Sequence, residues 1–250
     1  MKQSVKIILI AVVALVVAAG LAALTIWVII PAAKYGKAGS LADAGDIAGA
    51  YEAYGRMEDY RDAVENALKL QDEVIASRPP EGEMKFAGYN WLVLERRDGK
   101  ALLLMKDILE MRPYHSTLTE TDWENCTLRT WLNGAFYQGL PEADRARVAE
   151  TALVNGDNVQ YGTKSGGNTK DHVFLLSLAE ANLYFRDDAA RVARSGNSVK
   201  FWWLRSPGME PVVAAIVTNE GKLGYAGSGV NYTNRGVRPA MWVTLPAETE

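Results

Sequence analysis

The side chains able to do chemistry in this sequence are few and widely spaced. His115 and His172 are the only imidazoles, and Cys126 is the only thiol. A histidine can serve as a general base, so Asp171-His172 is one candidate. Its place ahead of the apolar run Val173-Phe174-Leu175-Leu176 equally suits a structural role. Cys126 falls among Glu124, Asn125 and Thr127, within an expected helix. A lone thiol there is either a nucleophile or a small packed apolar group. No His-x-x-x-His, Gly-x-Ser-x-Gly or Ser-x-x-Lys spacing occurs, so the signatures of common metallo- and serine hydrolases are missing.

Two other sets of side chains could bind rather than react. Asn155-Gly156-Asp157-Asn158, Gly166-Gly167-Asn168-Thr169 and Asp171 carry oxygens of the kind that ligate calcium. They lack the spacing of an EF-hand, and turn chemistry explains the same residues. No metal or cofactor is expected, calcium being the one ion these oxygens would suit. Arg129, Arg205 and Arg238 could jointly hold an acidic ligand, or each could tie a loop to a strand from a buried position. Arg205 and Arg238 occur in similar contexts, Trp202-Trp203-Leu204-Arg205-Ser206-Pro207-Gly208 and Gly236-Val237-Arg238-Pro239-Ala240. Each sets an apolar run beside an arginine and a turn-forming Pro or Gly, as where a strand end passes into a shaped loop. The polar stretch between them adds Asn231, Tyr232 and Asn234 as candidate ligand contacts.

These groups need a scaffold, and the pattern along the chain supplies one. Tyr89–Leu94 and Lys100–Met105 flank Asp98-Gly99, a strong hairpin signal. Trp123 to Tyr137 reads as a helix with Leu128, Trp131, Leu132 and Phe136 on one face, and Pro141 to Ala152 as a second, charged helix. Residues 154–170 form a long polar loop, and Val173–Leu176 a buried strand. Ser177-x-x-Glu180 is a capping box opening a helix to Phe185. Phe201–Leu204, Val212–Thr218 and Val237–Leu245 are later strands, and Gly221, Gly224, Gly227 and Gly229 a flexible loop. Strands, two helices and more strands make an α+β domain over 84–246.

Upstream, residues 40–77 show apolar residues at helical spacing in two runs broken at Gly55–Asp59, an expected antiparallel helical hairpin. Arg78-Pro79-Pro80-Glu81-Gly82-Glu83 is the linker, residues 78–83. Ile7 to Ile30 is 24 residues without a charge, and about 20 span a bilayer as a helix. Residues 1–33 are therefore an expected transmembrane signal-anchor. Trp27 lies at an interfacial position, and no signal-peptidase or lipobox site follows. A short tail before a single span leaves the C-terminal domain outside the cell membrane. A net charge of −3 gives no footprint for nucleic acid.

Five ordered blocks carry a family likeness: Phe86–Leu94, Thr127–Asn133, Asp171–Ser177, and the two arginine blocks above. Together they resemble the bacterial domain of unknown function 6273 family. That family in turn is similar to the C-type-lectin-like fold shared by formylglycine-generating enzymes and receptor-binding proteins. The resemblance implies a framework of Trp91, Arg129, Trp131, Asn133, Trp202, Trp203 and Gly236. It does not carry formylglycine chemistry across, because that needs a cysteine pair, nor lectin calcium binding, because no Glu-Pro-Asn or Gln-Pro-Asp triplet occurs. The run 44–63 resembles a single tetratricopeptide-like unit, which cannot bury its own apolar face well.

The expectation is a C-type-lectin-like mixed domain behind a helical stalk and one membrane span. It would act as a non-enzymatic surface module presenting loops 155–170 and 219–235 to an envelope glycan or protein partner. One alternative is an enzyme on the formylglycine-type scaffold with altered chemistry, using Arg205, Arg238 and His172. Another is an assembly module acting through the helical hairpin.

Overall fold

A computed structural model of the chain describes residues 24–57, 60–76 and 82–246. The expected anchor, 1–33, lies outside them up to residue 23. So does the linker 78–83, apart from Gly82 and Glu83. Among the described residues no helix is long and apolar enough to cross a membrane. The chain divides into two compact units, Met1–Leu68 and Lys69–Glu250.

In the first unit a wide π-helical turn, Thr25–Ile29, leads into α1 (Ile30–Asp43), with Pro31 in its first turn where no N–H is required. Gly45 adopts φ +80° and reverses the chain. Asp46 then caps α2 (Ile47–Gly55), its carboxylate accepting the Gly49 N–H at 3.0 Å. The helical run expected to begin at Ser40 is therefore divided, because a left-handed glycine and a capping aspartate together end one helix and start another. α3 (Ala63–Ala76) begins in this unit and continues into the second. Tyr35 on α1 packs edge-on against Tyr54 at 5.3 Å, and its hydroxyl donates to Asp62 and accepts from Asn66 at 2.9 Å.

The second unit opens with two tight hairpins. Ala87-Gly88 and Asp98-Gly99 both have positive φ at each residue, the geometry that a two-residue turn needs to match strand twist. They join β1 (Glu83–Phe86) to β2 (Tyr89–Arg97) and β2 to β3 (Lys100–Met105). A bulge between Val93 and Glu95 adds Leu94 to β2 and carries Glu95 to a buried position. There its carboxylate accepts the Tyr184 hydroxyl at 2.8 Å. After β4 (Glu110–Met111), α4 (Thr127–Trp131) passes into a π turn, Leu132–Phe136.

Residues 141–152 depart from expectation. Only α5 (Glu142–Arg145) is helical. Val148 then bridges Val243, and β5 (Thr151–Leu153) pairs with β6 (Thr169–Asp171). Tertiary pairing overrides the helix propensity of a charged run. The expected strand 173–176 is likewise a fully buried segment held by one bridge, Phe174 to Ala240, rather than a ladder. α6 (Leu178–Leu183) starts at the complete Ser177/Glu180 capping box. α7 (Asp188–Arg191) and the hairpin of β7 (Ala193–Ser195) and β8 (Ser198–Lys200) follow.

The last five strands are β9 (Trp202–Pro207), β10 (Val213–Val217), β11 (Leu223–Gly229), β12 (Gly236–Val237) and β13 (Ala240–Thr244). One sheet has the order β1-β2-β3-β13, the other β11-β10-β9-β12-β4. β9, buried along its whole length, sits at the centre of the second sheet, antiparallel to β10 and parallel to β12. The glycine-rich segment expected to be a flexible loop is largely the edge strand β11. Gly227, at φ +79°, lies where a Cβ would come within 2.3 Å of the Ala214 carbonyl oxygen. Glycine there permits close strand approach rather than looseness.

Candidate functional site

Three arginines that looked free to meet a ligand are engaged within the frame. Arg205 is 4% exposed, and all five of its donors are engaged. Nε donates to Asn155 Oδ1 at 3.0 Å, and Nη1 to Leu175 O at 2.9 Å and to the Glu180 carboxylate. Nη2 donates to Val154 O at 3.2 Å and Glu180 Oε1 at 2.9 Å. Glu180 also completes the capping box by accepting the Ser177 N–H. Arg238, 1% exposed, donates to the carbonyls of Met105, Lys106 and Arg191 and lies against the Trp202 and Phe185 rings. Burial pushes its guanidinium down to about 9, still cationic at neutral pH. Arg129 pairs with buried Asp171 at 2.7 Å, and Asp171 also accepts Trp123 Nε1 and Thr169 Oγ1.

The proposed ligand role of Arg205 and Arg238 is thus corrected: buried cations need partners, and these have them. His172 stacks on Tyr137 at 4.3 Å, and no hydrogen bond or ion pair among the described residues joins its side chain to Arg205 or Arg238, the other members of the trio named for the enzymatic alternative. His115 Nδ1 accepts the Thr127 N–H at 3.3 Å. Cys126 is fully buried at the N-cap of α4, where its sulfur accepts the Arg129 N–H, and burial pushes its thiol up to about 12.

The residues expected to form the framework take the following places in the structure. Trp91, Trp202 and Trp203 are fully buried, their indole N–H groups donating to Phe86 O, Arg191 O and Arg112 O. Asn133 accepts the His172 and Val173 N–H groups and donates to Val173 O. Trp131 is half-buried beneath the Arg112 guanidinium, 4.1 Å away. Gly236 pairs with both Trp202 and Met111, and any Cβ there would strike Ile108 at 2.7 Å.

Four connections, 112–126, 154–168, 207–212 and 229–235, are laced together at one side of β9–β11. His115 N bonds Val230 O, Thr121 N bonds Pro211 O, Val230 N bonds Val212 O, and Arg112 N bonds Arg235 O. Asn158, which the sequence marks only among loop oxygens of calcium or turn type, proves to be a tie between these connections. It is 0% exposed and donates to Pro207 O, Gly208 O and Tyr225 O while accepting the Gln160 and Tyr161 N–H groups. Its neighbour Asp157, whose oxygens would suit calcium although turn chemistry is the better reading, is paired with Lys164 at 2.7 Å, which holds its carboxyl below the ordinary range. Among the described residues no group of three or more His, Cys, Asp or Glu could hold a metal ion.

What this surface leaves outward differs in character from what it buries. Leu118, Val159, Tyr161, Met209 and Tyr232 are exposed. The Tyr232 ring lies 5.4 Å from the Arg235 guanidinium, whose other ring contact is Phe201 at 4.8 Å. Arg235 donates to Ser228 Oγ at 3.0 Å and Asn234 Oδ1 at 2.8 Å, and has no carboxylate partner among the described residues. Partial burial lowers its pKa. Asn231 Oδ1 is buried without a hydrogen-bond partner. Of the expected ligand contacts, Asn231, Tyr232 and Asn234 are therefore brought together, around an arginine that the sequence reading did not select.

The succession of hairpin, capped helix, buried arginine strand and closing Gly-Val-Arg block is also what the known families report on. Residues 98–245 match the family described as Domain of unknown function (DUF6273). The chain belongs to this family. The match begins at the Asp98-Gly99 turn, so the first resemblance block, 86–94, precedes it and the other four lie inside. No curated protein and no solved structure matches the chain.

Proposed function

We propose that this chain is a membrane-anchored binding module of the bacterial cell envelope. Its DUF6273 domain, C-type-lectin-like in architecture, presents the laced loop surface to an envelope glycan or a surface protein. The observation that carries the reading is the contrast at that surface. Arg205, Arg238, Asp171 and Asn158 are engaged inside, whereas Tyr232 and Arg235 remain available outside or at the rim, and the neighbouring Asn231 Oδ1 is buried without a partner. A few placed polar groups beside aromatic surface is how binding sites fix a ligand. Anchoring is supported by the uncharged stretch Ile7–Ile30 and by the exposure of Leu24, Val28, Ile29 and Ile30 at the head of the described helix. The helical segments of residues 40–77 then serve as a stalk.

The test is protease digestion of intact cells against lysed ones, followed by capture of envelope fractions on the full chain in detergent. Cleavage of the domain in intact cells, with retention of a glycan or surface protein, is the expected result. Protection until lysis would reverse the topology and remove the envelope from the reading.

A further inference from the structure

Resting on the binding reading above, we propose that the surface around Tyr232 takes a carboxylate-bearing saccharide. Three groups converge there, and each specifies one part of the ligand. Arg235 supplies the charge. Its guanidinium carbon lies 4.8 Å from the centre of the Phe201 ring and 5.4 Å from that of Tyr232, and its N–H edge is the part that can pair with an anion. On that edge Nε is engaged by Ser228 and Nη1 by Asn234, while Nη2 has no acceptor among the described residues. An edge-on guanidinium held by aromatic rings matches the plane of a carboxylate. Because no protein carboxylate neutralises it, the complementary anion comes from the ligand.

Asn231 supplies the second element. Its Oδ1 is a buried acceptor without a donor, and turning the side chain outward onto a ligand donor removes that desolvation cost. A bare anion has no such donor; a sugar hydroxyl or acetamido N–H does. The two features are close to one another. A methyl placed on Gly229 would touch the Tyr232 ring edge at 3.2 Å and Asn231 Oδ1 at 3.6 Å. Tyr232 is the third element, half exposed, with the ring available as an apolar platform beside polar groups. Anion, donor and an apolar face within one small footprint describe an acidic pyranose better than a phosphate or a neutral glycan. The source is either a free acidic sugar or a residue within a polymer.

The probes are an oligosaccharide containing glucuronic acid, the same oligosaccharide with its carboxyl groups reduced to alcohols, and sodium glucuronate. Each is titrated calorimetrically into the full chain in detergent. The acidic oligosaccharide binds, and reduction weakens binding roughly ten- to a hundredfold, the value of one charge-assisted contact. Arg235→Gln lowers the acidic oligosaccharide to the level of the reduced one and leaves the reduced one unchanged. Tyr232→Ala, at an exposed position that folding tolerates, weakens both. Unchanged thermal unfolding of each variant separates lost contact from lost fold. Sodium glucuronate binding as tightly as the oligosaccharide assigns a monosaccharide site; tighter binding of the oligosaccharide assigns a polymer. Equal binding of acidic and reduced forms, no effect of Arg235→Gln, or no binding of any probe overturns the proposal. Those failures do not depend on cellular location, so envelope binding to another ligand would stand or fall separately on the protease and capture experiments.

Discussion

Arg205 shows what a side chain's neighbours in sequence can and cannot say. Its flanks, Leu204 and Ser206-Pro207, mark a buried strand end, and burial of a cation implies a partner. They do not name Glu180, 25 residues earlier on another element, or the carbonyls of Val154 and Leu175. For that reason the sequence left a ligand contact open beside the favoured structural tie, and the geometry supplies the partners of that tie. Replacing Arg205 by Met leaves the Glu180 carboxylate half-satisfied in a buried place. Loss of about 3–5 kcal/mol is expected in denaturant unfolding of the second unit. Arg205→Lys recovers little of it, because an ammonium cannot reproduce a five-donor fork. Cys126 was equally ambiguous as nucleophile or packed thiol. With its pKa raised to about 12 by burial, almost no thiolate exists at pH 8. Mass spectrometry after iodoacetamide treatment should find it unmodified in the native chain and alkylated in denaturant. Arg235 carried no sequence signal beyond being polar in a loop, and Asn158 only that of a turn or calcium oxygen, since their roles come from which backbone and rings surround them.

At the level of elements, legibility followed how local the determinants are. The two-residue turn at Asp98-Gly99 and the capping box at Ser177 are decided within four residues, and both occur as expected. Ser177→Ala removes the cap of α6 and should cost about 1 kcal/mol, read as a shift of the denaturation midpoint with unchanged slope. The segments that misled are those whose state is decided by distant pairing. Residues 146–153 have the composition of a helix but are drawn extended by Val243 and by β6. β11 has the glycine content of a loop but is a strand, because its glycines allow it past a bulged β10. Gly227→Ala tests this point. A flexible loop would tolerate it, whereas a positive φ and a 2.3 Å approach to Ala214 O should cost about 1–3 kcal/mol or more in thermal unfolding. The helical region gives the same lesson in small: its apolar spacing was visible, while the division at Gly45-Asp46 depended on one backbone conformation and one cap.

For the molecule as a whole, the family match lies within the compact second unit, which also takes in the second half of α3 and the strands β1 and β2. Composition and order of elements suggested an α+β domain over residues 84–246. They could not reveal how the two sheets are completed, which depends on pairings across more than a hundred residues. β13 lies beside β3, and β12 sits between β9 and β4. A chain truncated after Arg235 should therefore give no protease-resistant second unit, while one ending after Leu245 should give the full one. The order of synthesis gives that arrangement a further meaning. A polypeptide leaving the ribosome would expose bare flanks on β3 and β9 until its final strands emerged, so the unit would stay unfolded for most of translation. A chain passing through a membrane pore in that interval would have no finished globule to unravel first. Were the proposed anchor to direct the domain across a bilayer, this sheet order would put no folded obstacle in its way.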